Sequence, residues 1–207
     1  MKLTVHSYKD GDMIPVAYAF CVPADEGHVS MGQNKNPHVS WEDPPSGTRS
    51  FALILHDPDV PSKPDDVNQE GKTVPKDLER MDFFHWVVID IPTTVNMINL
   101  GTDSDGITPR GKAPGKKPYG LTGVNSYTDW FKGDEQMEGI YGGYDVPCPP
   151  WNDELMHRYI ITLYALDVPN LGLSGNFTGP DALKAIEGHV LDKKEWMGKY
   201  TLNKGLL

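Results

Sequence analysis

The chain has little cysteine, few cationic residues and no long apolar segment. These absences argue against a disulfide-rich protein, a non-specific nucleic-acid-binding protein and a membrane protein, respectively. Its 207 residues include two cysteines, Cys21 and Cys148, which do not make a disulfide framework. Free thiols in a cytoplasmic protein are the expectation, although the sequence leaves their pairing open. Lysine and arginine number 19 against 29 acidic residues, and the resulting charge of −10 argues against non-specific nucleic-acid binding.

Long hydrophobic segments and dense catalytic motifs are also missing. No stretch of 18 apolar residues occurs and the N-terminus has no apolar core, so neither a membrane helix nor a signal peptide is predicted. The sequence contains no HExxH or CxxC motif, which makes metal binding a weak reading of its Asp and His residues. It also contains no G-x-S-x-G nucleophile motif. We therefore predict no cofactor and no metal.

What the chain does contain predicts one mainly β domain over residues 1–207. Hydrophobic residues make up 38% of the sequence, which is ample for a packed core. Its 21 glycines and 18 prolines favour many turns over long helices. Neither an internal repeat nor a shift in composition marks a domain boundary.

Three apolar segments predict the core strands: Phe51–Asp57, Phe83–Ile91 and His157–Asp167. In the first, Leu53 and Leu55 share one face while Ile54 lies on the other, which indicates a strand covered on both sides. Shorter β segments are predicted at Leu3–His6, Val16–Phe20 and His38–Trp41.

One helix and two long loops complete this outline. Pro180 and the spacing of Leu183, Ile186 and Val190 predict a helix over Pro180–Met197. The polar segment Ser62–Met81 is expected to be a long loop, of the kind that often acts as a lid or binding loop. The only positive cluster of this acidic chain lies between Ile107 and Leu121 and consists of Arg110, Lys112, Lys116 and Lys117. It is expected at the surface and could also attract anions.

Polar side chains stand at or near the ends of the three core strands. Asp57 and Asp59 are each followed closely by a proline, which restricts the backbone at the mouth of the first strand. His85 and His157 accompany the other two strands. If these groups converge, protonated imidazoles could bind an oxyanion while the carboxylates bind a hydroxyl or amine. The alternatives are a local Asp-Pro turn and structural histidines.

Four motifs in a fixed order resemble the phosphatidylethanolamine-binding protein family, in particular its bacterial and archaeal, Raf-kinase-inhibitor-like branch. They are the segments Asp57-Pro58-Asp59-Val60-Pro61, Phe84-His85-Trp86, Tyr144-x-x-Pro147-Cys148-Pro149-Pro150 and His157-Arg158-Tyr159. The resemblance covers roughly residues 30–203, including a lead-in at Asn36–Trp41 and a helical segment at Ala185–Leu191.

The resemblance implies a two-sheet antiparallel β-sandwich with Greek-key elements, a C-terminal helix and long irregular loops. It also implies a small surface pocket for phosphate-bearing ligands such as a phospholipid headgroup. The pocket residues carried over by motif are Asp57, Asp59, Val60, Pro61, His85, Cys148, Pro149, His157 and Tyr159. In that picture histidines and backbone N–H groups bind the phosphate oxygens, aspartates fix the histidines, and Cys148 belongs to the pocket wall.

The sequence departs from the family's pattern at two places, and two other functions are compatible with its residues. Val146 stands where the family's wall usually has glycine, which could narrow the pocket. The loop Ser62–Met81 is longer than in animal members and could cover the opening. One alternative function is a hydrolase that uses the Asp/His cluster for acid–base or metal-assisted cleavage. The other is an interaction protein whose loops Ser62–Met81 and Ile107–Leu121 dock a protein partner or a second subunit.

Overall fold

The computed structural model describes residues 1–207, and most of its regular structure is antiparallel β. There are eleven strands: β1 (Lys2–Val5), β2 (Cys21–Pro23), β3 (Val29–Met31), β4 (Val39–Glu42), β5 (Ser50–Pro61), β6 (Arg80–Pro92), β7 (Met97–Ile98), β8 (Gly115–Lys117), β9 (Gly120–Thr122), β10 (His157–Leu166) and β11 (Val190–Tyr200). The helices are α1 (Tyr127–Trp130), α2 (Gly179–Ile186) and two 3-10 turns at Val16–Tyr18 and Lys204–Leu206.

The strands form one large sheet and two small ones. The six-stranded sheet has the order β11-β10-β5-β6-β9-β8, so the three longest apolar segments of the sequence lie side by side at its centre. A three-stranded sheet has the order β1-β4-β7, and β2 pairs with β3 in a two-stranded sheet. The predicted mainly β fold is thus confirmed, while its finer description as a Greek-key sandwich stays a prediction.

Strand β5 is covered on both faces, as its sequence predicts. Leu53 and Leu55 lie in the larger core cluster of 24 buried residues. Ile54 points the other way, into a cluster that contains Ala182 and Ile186 of α2. A strand in this position buries nearly all of its apolar surface, and this fixes where its last residues project.

The segment after Asp57 continues the strand, although its two prolines suggested a break. Val60 and Pro61 pair with Met81 and Arg80 of β6, with a register shift between Asp57 and Val60. Proline at this position is compatible with a strand because the irregular pairing requires no ladder hydrogen bond from it. Asp57 and Asp59 are therefore held within a strand, although Asp57 Oδ1 accepts from Asp59 N at 2.8 Å, the local bond that the turn alternative predicts.

The predicted helix is correct only in its first half. Thr178 forms a capping box with Asp181, and α2 ends at Ile186. Gly188 follows at φ 81°, a left-handed conformation that a helix interior does not allow. Residues from Val190 onward form β11, which pairs with β10 along its whole length, so the prediction of helix up to Met197 is wrong.

Two other sequence predictions have different outcomes. Val16–Phe20 is not a strand, because Pro15 leads into a 3-10 turn at Val16–Tyr18. The loop between β5 and β6 is present and is bound to residues 151–154. The Asn152 side chain accepts from Asn68 N at 2.9 Å and donates to the carbonyl of Asp66 at 2.8 Å. Val74 forms a backbone bridge with Asp153, so this long loop is well anchored.

None of the helices has the length and hydrophobicity that a membrane crossing requires. The longest, α2, has eight residues.

Candidate binding site

A cavity of about 460 Å³ opens where the ends of β5, β6 and β10 meet α1 and the proline-rich segment around Cys148. Twelve of its 23 lining residues are hydrophobic, and none is lysine or arginine. A concave, mostly apolar cavity with a few converging polar groups is the usual form of a small-molecule site. The polar groups at its floor come from Asp57, His85, His157 and Tyr159.

His157 has both ring nitrogens bound to carboxylates. Nδ1 lies 2.7 Å from Asp57 Oδ2, and Nε2 lies 3.0 Å from Asp153 Oδ2. Burial acts to lower the pKa of this imidazole, but the charge of Asp57 and the hydrogen bonds to Asp153 and Asp57 outweigh it and raise the pKa to about 9. His157 is therefore a buried imidazolium near neutral pH, and neither nitrogen is free for a ligand.

Two arginines extend this network away from the cavity. Arg80 binds Asp153 through both terminal nitrogens, at 2.6 and 3.0 Å, and donates to the carbonyl of Asp59. Arg158 binds both oxygens of Asp59 through Nε and one terminal nitrogen, at 2.8 and 2.7 Å. Charge-assisted, bidentate pairs of this kind hold their partners in one geometry. The network consequently fixes Asp57 and His157 at the cavity floor.

His85 has a different environment. Its Nδ1 donates to the carbonyl oxygen of Asp145 at 2.7 Å, since a carbonyl can only accept. Its Nε2 is buried and has no hydrogen-bond partner. Burial lowers the pKa of His85 to about 4, so the ring is neutral at pH 7 and Nε2 presents a lone pair. A buried polar atom without a partner is uncommon, and here it belongs to a residue that lines the cavity.

Aromatic side chains surround His85. Its ring centroid lies 4.8 Å from that of Phe83, 5.6 Å from Tyr127 and 5.5 Å from Tyr159. Burial, followed by nearby carboxylate charges, raises the pKa of both tyrosines well above 10, so their hydroxyls stay protonated. Phe131 stacks on Tyr127 at 5.3 Å and continues the wall outwards.

The rim of the cavity carries exposed apolar side chains. Met31 is 62% exposed, Met81 is 50% exposed and Trp130 is 48% exposed. These residues come from β3, β6 and α1, which are distant in sequence. The apolar walls therefore continue to the surface.

Cys21 and Cys148 form a disulfide, so the expectation of free thiols is wrong. Their Cα atoms lie 4.8 Å apart because backbone hydrogen bonds place Phe20 and Cys21 beside Val146 and Pro147. Both cysteines line the cavity, and the bridge ties its proline-rich wall to the start of β2. Sequence spacing carried no signal for this pair, which is separated by 127 residues.

The structure brings most of the predicted site residues together around the cavity: Asp57, Val60, Pro61, His85, Cys148, Pro149, His157 and Tyr159. Asp59 is buried but does not line the cavity, because its carboxylate binds Arg158. Val146 is buried in the larger core cluster and does not narrow the opening. The beginning of the long loop does contribute, through Ser62, Pro64, Val67 and Asn68.

Several residues that matter at this site were missed. Asp153, which binds Nε2 of His157, has no sequence signal beyond lying four residues before it. Tyr127, Trp130 and Phe131 fall in a stretch for which the sequence predicted neither a strand nor a helix, although three aromatic residues lie there within five positions.

The predicted basic cluster does not reach the cavity. Lys112 binds the buried Asp145 at 3.1 Å and Arg110 donates to the carbonyl of Glu135. No group of three or more His, Cys, Asp or Glu side chains has a geometry suited to a metal ion.

Comparisons with known proteins identify the family. The model of the phosphatidylethanolamine-binding protein family matches residues 4–201, and the chain belongs to this family. A protein of Methanothermobacter thermautotrophicus named UPF0098 protein is 32% identical over 97% of this chain and 98% of its own length. YbhB of Escherichia coli, also a UPF0098 protein, is 28% identical over 86% of this chain and 89% of its own.

Solved structures agree with this assignment. A phosphatidylethanolamine-binding protein homologue of Chlamydia trachomatis has a TM-score of 0.63 at 26% identity, with 96% of this chain and 95% of that one covered. YbcL of Escherichia coli, described as a member of the mammalian family, has a TM-score of 0.68 at 22% identity and covers 97% of each chain. The second comparison supports the fold only.

Proposed function

We propose that this protein is a non-enzymatic binding protein whose cavity holds a small phosphate-bearing ligand. The observation that carries this proposal is the buried, unpartnered Nε2 of His85 on a residue that lines the cavity. A polar atom that is buried without a partner costs about 1–3 kcal/mol, and a ligand that pairs with it recovers that free energy. The protonated hydroxyl of Tyr127 and the buried, unpartnered hydroxyl of Ser62 add donors for oxyanion oxygens.

The size and lining of the cavity support a ligand larger than phosphate alone. Its volume of about 460 Å³ falls in the range of small-molecule sites. The apolar walls and the exposed Met31, Met81 and Trp130 at the rim suit an organic group attached to the phosphate. A phospholipid headgroup or another phosphomonoester or phosphodiester meets this description.

The geometry gives the hydrolase alternative no specific support. A general base needs a free nitrogen within reach of its proton, and both nitrogens of His157 are engaged with carboxylates. His85 has a free Nε2, but no hydrogen bond joins it to either serine hydroxyl of the cavity lining, Ser62 or Ser126, so no nucleophile–base pair is formed.

The proposal is tested by calorimetric titration with phosphate and phosphoethanolamine. We expect saturable heat from the wild type up to millimolar ligand and an affinity at least about 10-fold lower for His85→Ala. His56→Ala is the matched control, because His56 lies on the neighbouring strand β5 but does not line the cavity. Absence of heat from the wild type with either ligand would contradict the proposal.

The cytoplasmic location and a protein partner or second subunit stay predictions. Disulfides are more typical of oxidising compartments, so the bond between Cys21 and Cys148 weighs against the cytoplasm. Cell fractionation and size-exclusion chromatography with light scattering test these two points directly.

A further inference from the structure

The hydrogen-bonding groups at the cavity floor restrict the protonation state of the ligand. His157 cannot donate to a ligand, because Asp57 and Asp153 occupy its two nitrogens. His85 cannot donate through Nδ1, which is bound to the carbonyl of Asp145. The network around His157 therefore fixes the shape of the cavity floor and balances its charge, but it leaves no N–H free to donate to a ligand.

Nε2 of His85 is an acceptor, and so is the nearest charged group. Asp57 on β5 is a carboxylate whose charge acts on His85, and its two oxygens accept from Asp59 N and from His157. The other titratable groups around the ring are His157 and Tyr159 on β10, Tyr127 on α1 and the more distant His56 on β5. Because both oxygens of Asp57 already accept hydrogen bonds, Nε2 of His85 is the acceptor that requires a donor from the ligand.

No cation compensates for an added negative charge at this position. The lining contains no lysine or arginine, and the imidazolium of His157 is already neutralised by two carboxylates. An oxyanion without a proton would place a bare oxygen against the lone pair of His85 and the carboxylate of Asp57. Such a contact leaves buried acceptors unpaired and adds like-charge repulsion.

We propose that the cavity selects an oxyanion that carries a proton, as hydrogen phosphate does, and discriminates against one that carries none, such as sulfate. The ligand hydroxyl donates to Nε2 of His85, and the hydroxyls of Tyr127 and Ser62 donate to the remaining oxygens; the hydroxyl of Tyr159 is bound to Asp57. Sites that hydrogen-bond a substrate hydroxyl reject the analogue that lacks it, because their own polar groups are then left unpaired. This inference rests on the proposed function and specifies its ligand class.

Inorganic phosphate and sulfate are matched probes for this selectivity. At about pH 8 both are tetrahedral anions of charge −2, and only hydrogen phosphate carries a proton. We expect calorimetric titration to show phosphate binding at least about 30-fold tighter than sulfate. Titration in two buffers of different ionisation enthalpy should show no net proton uptake with phosphate.

Two variants separate selectivity from folding. His85→Gln can turn its amide N–H towards the ligand, and we expect it to bring sulfate to within about 5-fold of phosphate. Asp57→Asn replaces an acceptor by a donor and should act in the same direction, provided that its circular dichroism and melting match those of the wild type. His56→Ala should keep the wild-type ratio.

The outcomes distinguish this inference from the proposed function. Equal affinity of the wild type for the two anions would overturn proton selection and leave the binding function standing. Preserved phosphate preference in a folded His85→Gln variant would also overturn it. If neither anion binds but phosphoethanolamine does, the selectivity is overturned and the binding function stands; if phosphoethanolamine does not bind either, both fail.

Discussion

The two buried histidines of the cavity floor have the same side chain and opposite surroundings. His157 is held between Asp57 and Asp153, and its pKa is raised to about 9. His85 has one nitrogen on a backbone carbonyl and the other without a partner, and its pKa is lowered to about 4. Complete pairing marks His157 as part of the framework, whereas the unpaired nitrogen is the reason why we propose His85 as the group that meets a ligand.

The largest effect is expected from breaking the framework at Asp153. Asp153→Ala leaves the imidazolium of His157 and the guanidinium of Arg80 buried without their shared carboxylate. We expect the free energy of unfolding to fall by about 3–5 kcal/mol, measured by chemical denaturation. Asp66→Ala is the control, because its pair with Lys72 is exposed and 3.6 Å long, and should change stability by less than about 0.5 kcal/mol. Equal losses in the two variants would remove the distinction between framework and surface pairs.

A second prediction concerns the alkaline side of the stability profile. The pKa of His157 is higher in the folded chain than its ordinary 6.5, so the folded state holds this proton more tightly. Its stabilisation is complete below about pH 6.5 and is lost as the pH rises through about 9, on the order of 3 kcal/mol in all. Denaturation midpoints from about pH 6 to 10 should therefore decline in the wild type, and the difference from His157→Gln should vanish at the alkaline end. A constant difference would show that His157 is not protonated in the folded protein.

The third and smallest effect has the opposite slope. His85 has a folded pKa below 6.5, so the unfolded chain binds its proton more tightly. Its neutral form is fully compatible with the fold above about pH 6.5, and stability is lost as the pH falls towards 4. We expect at most about 3 kcal/mol, slightly less than for His157, because the measurement ends near pH 4, before protonation of the folded ring is complete. Thermal melting between about pH 4 and 7 should show this decline in the wild type and not in His85→Gln. If the stability of the two proteins falls in parallel with pH, the lowered pKa of His85 is contradicted.

The sequence predicted the central sheet well because its signal is local. Apolar runs at β5, β6 and β10 each identify a buried strand without reference to the rest of the chain. The apolar spacing wrongly predicted that the helix continues beyond Ile186, because Val190 keeps the helical period of apolar residues after Gly188. Pairing between β10 and β11 decides that segment, and such pairing is not visible in the spacing.

The site was predictable to the extent that its residues stand in motifs. Asp57, His85 and His157 were identified and meet at one cavity. Their roles were not, because whether an imidazole nitrogen is free depends on groups from other parts of the chain. Asp153 binds His157 and the carbonyl of Asp145 binds His85, and neither contact has a sequence signature. The predicted protonated histidine that binds a ligand is therefore not His157.

The covalent link between Cys21 and Cys148 has a practical consequence for anyone who handles this protein. A reductant such as dithiothreitol in the purification buffer would separate the two sulfur atoms and leave the Pro147–Pro150 segment held to the start of β2 by backbone hydrogen bonds alone. Ligand screens run with and without such an additive would then sample a cavity whose wall is restrained to two different degrees. Preparations should be checked for thiol content before any affinity is assigned to the native protein.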